Sequence, residues 1–248
     1  MPLIFIGLIS LVPLCLCLWH WMASGERCSG DVSMVKAPLV LFDFDGTLCP
    51  SFDLLVREFN AVSKYYGLKK VESHEIENLR DMGAKEVQKV LGISMFKLPF
   101  LVKKICRNIS AHIVELKPIL GISEVLHALK AAGYSLGILS SNSEKNIRIY
   151  LKKYDLDFFD FIYTGKAIFS KKRHLGKIRK LAGIDNISAY VGDEVRDMEA
   201  AQDAYVPGIA VSWGFNSLKR LKKSFPENLC ETPEKLIETV ERLSRAGR

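Results

Sequence analysis

The stretch "LFDFDGTLCP" (41–50) places two aspartates at the end of an apolar run, and this arrangement constrains the fold most strongly. Residues 39–44 are apolar except for Asp43, a pattern typical of a strand buried on both faces of a parallel sheet. Asp43 and Asp45 are two residues apart, so in an extended chain their side chains point to the same side. Gly46 then allows a sharp turn. We expect a ligand site here, because open α/β sheets bind ligands at the carboxyl ends of their strands.

After residue 34 the sequence alternates between strand and helix patterns, which predicts an α/β fold built on a parallel sheet. The predicted architecture is a three-layer, Rossmann-like core with an inserted α-helical cap. The core comprises residues 34–51 and 117–248, and the cap comprises residues 52–116, where helical patterns follow one another without a strand between them. Further core strands are predicted at 134–141, 159–165, 188–194 and 208–214.

Apolar residues at helical spacing define three buried helix faces in the predicted cap. A terminal helix is also expected, because Thr232 is a suitable N-cap and Pro233 is favoured in a first turn. The three cap faces consist of Phe52, Leu55, Phe59 and Val62, of Val87, Val90 and Leu91, and of Leu101, Ile105, Ile109 and Ile113.

Polar side chains follow the later strands as well, and we expect them to meet at the edge that carries the two aspartates. Clustered carboxylates repel one another unless a cation lies among them, and all-oxygen ligation suits Mg²⁺. A carboxylate nucleophile, a second carboxyl as acid and base, a lysine and a cation together describe phosphoryl transfer through an aspartyl phosphate. The side chains are Ser140, Ser141 and Asn142 after the second strand, Lys171 and Lys172 at a helix start, and Asp193 and Asp197 after the fourth strand.

The composition argues against several other classes of protein. The 248 residues are 48% hydrophobic and 25% charged, as expected for a globular chain with a sizeable core. The net charge is +7, but the basic clusters at 97–107, 166–180 and 219–223 lack the aromatic interleaving of a nucleic-acid platform, so no nucleic-acid partner is expected. The six cysteines form no CxxC pair and the five histidines no HxH or HExxH spacing. These spacings favour a reduced, cytoplasmic catalytic domain without a zinc site.

The first 33 residues allow three interpretations. Residues 2–19 are uncharged and just long enough to span a bilayer, which would anchor the domain to a membrane. The segment lacks the basic start of a secretory signal, although Ala23 and Gly25 would suit a cleavage point. It is alternatively a translated leader, because the sequence from Met34 resembles an ordinary start. No candidate ligand precedes Asp43, so a chain beginning at Met34 is expected to be active.

Four short motifs occur in order along the chain: "DFDGT" at 43–47, "SSN" at 140–142, a lysine at 171 or 172, and "GDEVRD" at 192–197. In these motifs the sequence resembles the haloacid dehalogenase-like (HAD) hydrolase superfamily. The resemblance is closest to its phosphoglycolate phosphatase-like branch, which has a helical cap after the first motif. It covers about residues 38–240.

The resemblance implies a role for each matching residue. Asp43 would be the nucleophile and Asp45 the general acid and base. Asp43, Asp193 and the main-chain carbonyl of Asp45 would bind Mg²⁺. Lys171 would neutralise charge between the nucleophile and the phosphate. Asp197 would support the metal or the lysine.

The implied phosphate site is formed by the first two motifs. The Ser140 hydroxyl would hydrogen-bond the phosphoryl group, together with Gly46, Thr47, Ser141 and Asn142. The lysine motif "FSKKRHL" lacks the Lys-Pro pair of many relatives. Both Lys171 and Lys172 are therefore candidates, of which Lys171 fits the pattern better.

The sequence therefore predicts a Mg²⁺-dependent phosphatase that acts on a small phosphorylated metabolite. Two alternatives are a phosphomutase of the same superfamily, which shares the core motifs, and a membrane-tethered module that binds phosphate without turnover. The substrate does not follow from the sequence. Residues 48–53, "LCPSFD", differ from the acidic and small residues found here in many phosphoglycolate phosphatases.

Overall fold

The structure is a computed structural model that describes residues 27–165, 171–183, 186–225 and 227–246. Within these ranges, seven strands form one sheet and ten α-helices accompany it. The strands are β1 (Arg27–Ser29), β2 (Leu39–Phe42), β3 (Ser135–Ser140), β4 (Phe161–Thr164), β5 (Ile187–Gly192), β6 (Gly208–Val211) and β7 (Leu229–Cys230). The helices are α1 (Ser51–Ser63), α2 (Ile76–Asp81), α3 (Ala84–Val90), α4 (Leu98–His112), α5 (Ile122–Ala131), α6 (Glu144–Lys153), α7 (Lys171–Ala182), α8 (Val195–Asp203), α9 (Leu218–Ser224) and α10 (Lys235–Ala246).

The sheet has the strand order β1-β4-β3-β2-β5-β6-β7. All neighbouring strands are parallel except β1, which runs antiparallel to β4. β2 lies at the centre, between β3 and β5, and all four of its residues are buried. The carboxyl ends of β2, β3 and β5 therefore meet at one edge. This confirms the predicted α/β class with a parallel, Rossmann-like core.

The predicted strands agree closely with the structure. β3, β4 and β6 fall inside their predicted ranges, and β5 begins one residue early, at Ile187. β6 ends at Val211 rather than at Gly214. The residues that follow, 212–217, leave the sheet and form a loop before α9, here called the β6–α9 loop.

The start of the described chain packs against the core, which the boundary predicted at residue 34 did not anticipate. Arg27, Cys28 and Ser29 pair with Thr164, Tyr163 and Ile162 of β4. Val32 is only 3% exposed and packs in the apolar cluster beneath β4. The predicted membrane segment at 2–19 lies outside the described residues. In the part of the chain that is described, no helix has the length and apolar character needed to cross a bilayer.

These contacts change the expectation for a chain that begins at Met34. A chain that begins at Met34 lacks β1 and the buried Val32 side chain. Its free energy of unfolding should therefore be lower by about 2 kcal/mol or more than that of a chain beginning at Arg27. Urea unfolding of the two shortened chains, followed by circular dichroism, measures the difference. Equal unfolding midpoints would contradict it.

Between β2 and β3 the chain is helical, as predicted for a cap. α1 and α4 pack side by side, and their predicted apolar faces are buried in one cluster together with residues of α2 and α3. The exception is Ile113, which follows α4 and packs in the cluster of the core sheet. Phe215 of the β6–α9 loop belongs to the same cluster. The loop of the core thus inserts an aromatic side chain into the helical segment. The boundaries 52–116 stay a prediction.

Two details of the helix predictions are wrong. Val90 is 45% exposed, because it is the last residue of α3 and faces solvent, whereas Val87 and Leu91 are buried. The terminal helix begins at Lys235 rather than just after Thr232. The carbonyl of Thr232 accepts a hydrogen bond from Lys235 N at 3.3 Å, which forms a turn ahead of the helix.

Candidate active site

The first motif forms a tight loop beyond the end of β2. Asp43 N donates to Val191 O at 2.8 Å, which extends the pairing with β5 by one residue. Phe44 is fully buried, and its carbonyl accepts hydrogen bonds from Leu48 N and Cys49 N, both at 3.0 Å. Gly46 has a φ of +76°, a backbone conformation that glycine adopts without strain. The loop therefore holds Asp43 and Asp45, both buried, just beyond the carboxyl end of the central strand.

Asp43 forms a buried ion pair with Lys171, the first residue of α7. Lys171 Nζ lies 2.5 Å from Asp43 Oδ2 and 2.5 Å from Asp197 Oδ1. Asp43 Oδ1 accepts a hydrogen bond from Phe44 N at 2.7 Å. Burial opposes the charged lysine, but Asp197 and Asp43 outweigh it and hold the pKa of Lys171 well above its ordinary value. Lys171 is therefore a cation fixed between two carboxylates.

Burial also acts on Asp43 itself. Desolvation raises the pKa of Asp43, and the nearby charge of Lys171 opposes that rise. A buried carboxylate without such a partner would be costly, so Lys171 is what favours the ionised form.

Asp193 follows β5 and both of its carboxylate oxygens accept hydrogen bonds. Thr47 Oγ1 donates to Oδ1 at 2.8 Å, and Phe215 N donates to Oδ2 at 2.7 Å. A Cβ at Gly46 or at Gly214 would overlap the carboxylate, so the surrounding backbone approaches it as closely as glycine permits. Burial, together with the charge of Glu194, raises the pKa of Asp193 well above its ordinary value.

Asp45 occupies a different environment from Asp43. Its Oδ2 accepts a hydrogen bond from Asn142 Nδ2 at 2.9 Å, whereas its buried Oδ1 has no hydrogen-bond partner in the described part of the chain. Burial, and to a smaller degree the charge of Asp43, raises the pKa of Asp45 to about 6. Its carboxyl can therefore gain and lose a proton near neutral pH.

The raised pKa of Asp45 predicts a pH-dependent stability without divalent cations. The unfolded carboxyl ionises near pH 3.8 and the folded one near pH 6, so the free energy of unfolding falls as pH rises through this window. Asp45→Asn removes that loss, and should exceed the native chain in stability by about 3 kcal/mol at pH 8. Near pH 4 the two proteins should differ little. Urea unfolding in EDTA at both values measures the gap, and a gap that does not change with pH would contradict the expectation.

The second motif lies beside Asp45 at the end of β3. Ser140 and Asn142 are buried, and Ser141 is partly buried. Asn142 N donates to Ser140 Oγ at 3.1 Å. Asn142 Oδ1 accepts from Asn146 Nδ2 at 3.1 Å, which orients the amide so that its Nδ2 faces Asp45. Asn146 was not predicted as a site residue, although its position in the first turn of α6, four residues after Asn142, could have suggested the contact.

The structure separates the two candidate lysines. The side chain of Lys171 is 6% exposed and contacts Asp43 and Asp197, whereas that of Lys172 is 60% exposed and pairs with Asp203 at 3.2 Å. Consecutive residues of a helix point about 100° apart, so only one can face the site. Lys171 is the residue that joins the cluster.

An ion pair beside the cluster was not predicted from the sequence. Glu194, which is buried, pairs with Arg196, whose side chain is 17% exposed, at the start of α8. Burial raises the pKa of Glu194 to about 7, while Arg196 opposes the rise. Both lie within the motif "GDEVRD", so the signal was present, but nothing in their spacing distinguishes them from a solvated helix start.

The carboxylates fit a divalent cation. Ligand oxygens of Asp43, Asp193 and Asp197 lie within 4.8 Å of one another, and all three side chains are buried. Three carboxylates and the single ammonium of Lys171 leave an excess of two negative charges when all are ionised. A divalent cation would balance that excess, and the donor set consists of oxygen atoms only, as hard cations prefer. The histidines and cysteines of the described chain form no comparable cluster.

Comparisons with known proteins identify the family of this chain. The family model for haloacid dehalogenase-like hydrolase matches residues 40–211. A phosphoglycolate phosphatase from Synechococcus elongatus is 33% identical over 208 residues, which cover 83% of this chain and 98% of the relative. Pyrophosphatase PpaX from Bacillus mycoides is 24% identical over 221 residues, which cover 85% of this chain and 100% of the relative.

A solved structure supports the fold. The crystal structure of a predicted phosphatase from Clostridium acetobutylicum has a TM-score of 0.70 at 19% identity, and the match covers 84% of this chain and 99% of that one. The chain belongs to the haloacid dehalogenase-like hydrolase family. Within that family it is a phosphatase, a hydrolase of phosphoric monoesters.

Proposed function

We propose that this chain is a Mg²⁺-dependent phosphatase that hydrolyses a small phosphorylated metabolite through a phosphoryl group bound covalently to Asp43. The observation that carries the proposal is the contrast between Asp43 and Asp45. Asp43 is paired with the Lys171 cation, which favours the carboxylate that a nucleophile needs. Asp45 lies two residues away with a pKa raised to about 6, which suits a group that both gives and takes a proton.

The proposed reaction has two steps. A carboxylate oxygen of Asp43 forms a bond to phosphorus while the ester P–O bond breaks, and Asp45 gives its proton to the leaving oxygen. Asp45 then takes a proton from a water molecule, whose oxygen bonds to phosphorus as the bond to Asp43 breaks. Inorganic phosphate leaves, and Asp43 is a carboxylate again.

The other residues of the site bind and orient the phosphoryl group. The Ser140 hydroxyl and the Ser141 N–H are proposed as donors to its oxygens. Gly46, Asn142 and Thr47 were expected beside them, but Gly46 N donates to Cys49 O at 2.8 Å, Asn142 N to Ser140 Oγ at 3.1 Å and Thr47 Oγ1 to Asp193 Oδ1 at 2.8 Å. We therefore propose that these three shape the loops around the phosphate rather than donate to it. Lys171 would offset the negative charge that the nucleophile and the phosphate bring together. Asp197 keeps Lys171 in place through the 2.5 Å contact to Nζ.

Asp43, Asp193 and the main-chain carbonyl of Asp45 are proposed to hold Mg²⁺. When bound, the cation supplies positive charge that stabilises the phosphoryl oxygens and reduces the repulsion between phosphate and nucleophile. The buried, all-oxygen cluster of Asp43, Asp193 and Asp197 supports this assignment. Mg²⁺ should also raise the melting temperature of the protein, because it binds the folded chain only.

A screen of phosphorylated metabolites tests the proposed function. It should include phosphoglycolate and pyrophosphate, because these compounds appear in the names of the relatives. At least one phosphate ester should release phosphate in a reaction that requires Mg²⁺ and stops in EDTA. Phosphate release at the same rate in EDTA, or from none of the esters, would contradict the proposal.

Replacement of the two neighbouring lysines tests the assignment of Lys171. Lys171→Gln removes the cation between Asp43 and Asp197 and should lower kcat/KM by about 10²-fold, the range found when one charge-stabilising donor is lost. Lys172→Gln, which loses only an exposed ion pair with Asp203, should stay within about twofold of the native enzyme. Equal losses in the two variants would contradict the assignment.

A further inference from the structure

The β6–α9 loop contacts Asp193 through three consecutive residues, Gly214, Phe215 and Asn216. Phe215 N donates to Asp193 Oδ2 at 2.7 Å, and Asn216 N donates to the main-chain oxygen of Asp193 at 3.4 Å. Gly214 lies so close that a Cβ there would overlap the carboxylate. Any shift of this loop would therefore move the Asp193 carboxylate or remove its hydrogen bond.

Arg80, near the end of α2 in the helical segment, forms hydrogen bonds with the same loop. Its Nη2 donates to Gly214 O at 2.6 Å and to Ser212 O at 3.3 Å. The main-chain oxygen of Arg80 accepts from Ser217 N at 3.3 Å. One residue of the cap thus contacts the start, the middle and the end of the loop.

The position of the Arg80 guanidinium is itself well defined. Nη1 pairs with Glu77 at 2.7 Å, and the guanidinium carbon lies 5.5 Å from the ring centre of Phe52. Phe52 in turn packs edge-to-face against Phe215, with ring centres 5.5 Å apart. Phe215 provides both the N–H bound to Asp193 and an aromatic ring inserted among the cap residues. The packing of the cap and the position of Asp193 are therefore connected through a single loop.

We infer that Arg80 is a positioning residue for the metal site, which keeps the β6–α9 loop in the conformation that orients Asp193. The inference rests on the proposed role of Asp193 as a Mg²⁺ ligand. It also implies that metal affinity depends on the packing of the cap against the core, because Arg80 belongs to the cap helix α2 and the loop belongs to the core. Removal of the Arg80 side chain should weaken metal binding more than it disturbs any group proposed to contact the phosphate.

Direct titration of the full chain with Mn²⁺, followed by electron paramagnetic resonance of the free ion, tests the inference without an activity assay. Arg80→Gln should raise the Kd for Mn²⁺ by about tenfold, the lower end of what the loss of a residue supporting a metal ligand produces. Arg80→Lys should give a smaller rise, because one ammonium can still reach Gly214 O. Circular dichroism and the unfolding midpoint show whether each variant is folded.

Arg220→Gln is the matched control. Arg220 also joins the cap to the core, because its Nη1 donates to Asp81 O at 2.8 Å, but its side chain belongs to α9 and lies outside the β6–α9 loop. Its Kd for Mn²⁺ should stay within about twofold of the native value. A loss as large as that of Arg80→Gln would overturn the inference, because any loosening of the cap would then suffice.

The outcomes for the native chain and for the Arg80 variants are distinguishable. A native chain that binds no Mn²⁺ would overturn the proposed metal site and this inference together. Tight binding by the native chain and an unchanged Kd in Arg80→Gln would overturn this inference alone. If Arg80→Gln does not fold, Arg80→Lys decides, and a Kd equal to the native value would overturn the inference.

Discussion

Asp43→Asn is expected to reduce Mg²⁺-dependent phosphate release by roughly 10⁴-fold or more, because the amide cannot form the covalent intermediate with phosphorus. The fold should survive. The asparagine is nearly the same size as the aspartate, although its one amide oxygen can accept from Phe44 N or from Lys171 Nζ but not from both. Circular dichroism checks the fold of the variant. Steady-state phosphate release from the best ester of the screen measures the effect. A folded variant with native turnover would show that water attacks the ester without help from Asp43.

Asp45→Asn is expected to reduce turnover by about 10² to 10⁴-fold, the range that a general acid and base contributes. The variant loses the proton needed by the leaving oxygen and the base needed by water. It keeps the backbone carbonyl proposed as a metal ligand, and the affinity for Mg²⁺ should be nearly unchanged. Single-turnover phosphate release and Mn²⁺ titration measure the two quantities separately.

Asp193→Asn provides the contrasting result. This substitution removes one negative charge from the cluster of buried carboxylates and should weaken metal binding itself. Excess Mg²⁺ should recover part of its activity, which it should not do for Asp45→Asn. If Asp45→Asn kept full turnover, or lost the metal as severely as Asp193→Asn, then Asp45 would be a ligand or a structural residue.

Much of the site could be predicted because it depends on local sequence. A buried apolar strand that ends in Asp43, Asp45 and Gly46 has few explanations other than a ligand site, since burial of uncompensated acids is costly. The parallel sheet then brings the ends of β3 and β5 beside β2. The structure accordingly places Asn142 against Asp45 and Asp193 against Thr47.

The motif favoured Lys171 over Lys172, but the difference in their burial could not be predicted from the sequence. Both residues have the same chemistry, and only the direction of α7 relative to the sheet determines which one is buried. Arg196 illustrates the same limit, because a partly buried arginine and a solvated one look alike in a helix start.

Tertiary contacts also explain two segments that differ from their predictions, the end of β6 and the strand β1. "GIAVSWG" (208–214) has the composition of a strand throughout, yet the chain leaves the sheet after Val211. Trp213 Nε1 donates to Thr47 O at 3.1 Å, so the loop is held by the first motif. β1 has only three residues, and the free edge of β4, rather than any apolar pattern, accounts for its pairing. Neither contact is visible in the local sequence.

Identification of the residue that carries the phosphoryl group tests the central claim most directly. The enzyme would be quenched in acid during turnover, reduced with borohydride and digested, since borohydride converts an aspartyl phosphate to homoserine. We predict substrate-dependent homoserine at position 43 by peptide mass spectrometry, with no such product in Asp43→Asn. Homoserine at another aspartate, or no homoserine at any aspartate when the enzyme is quenched during rapid turnover, would contradict the account.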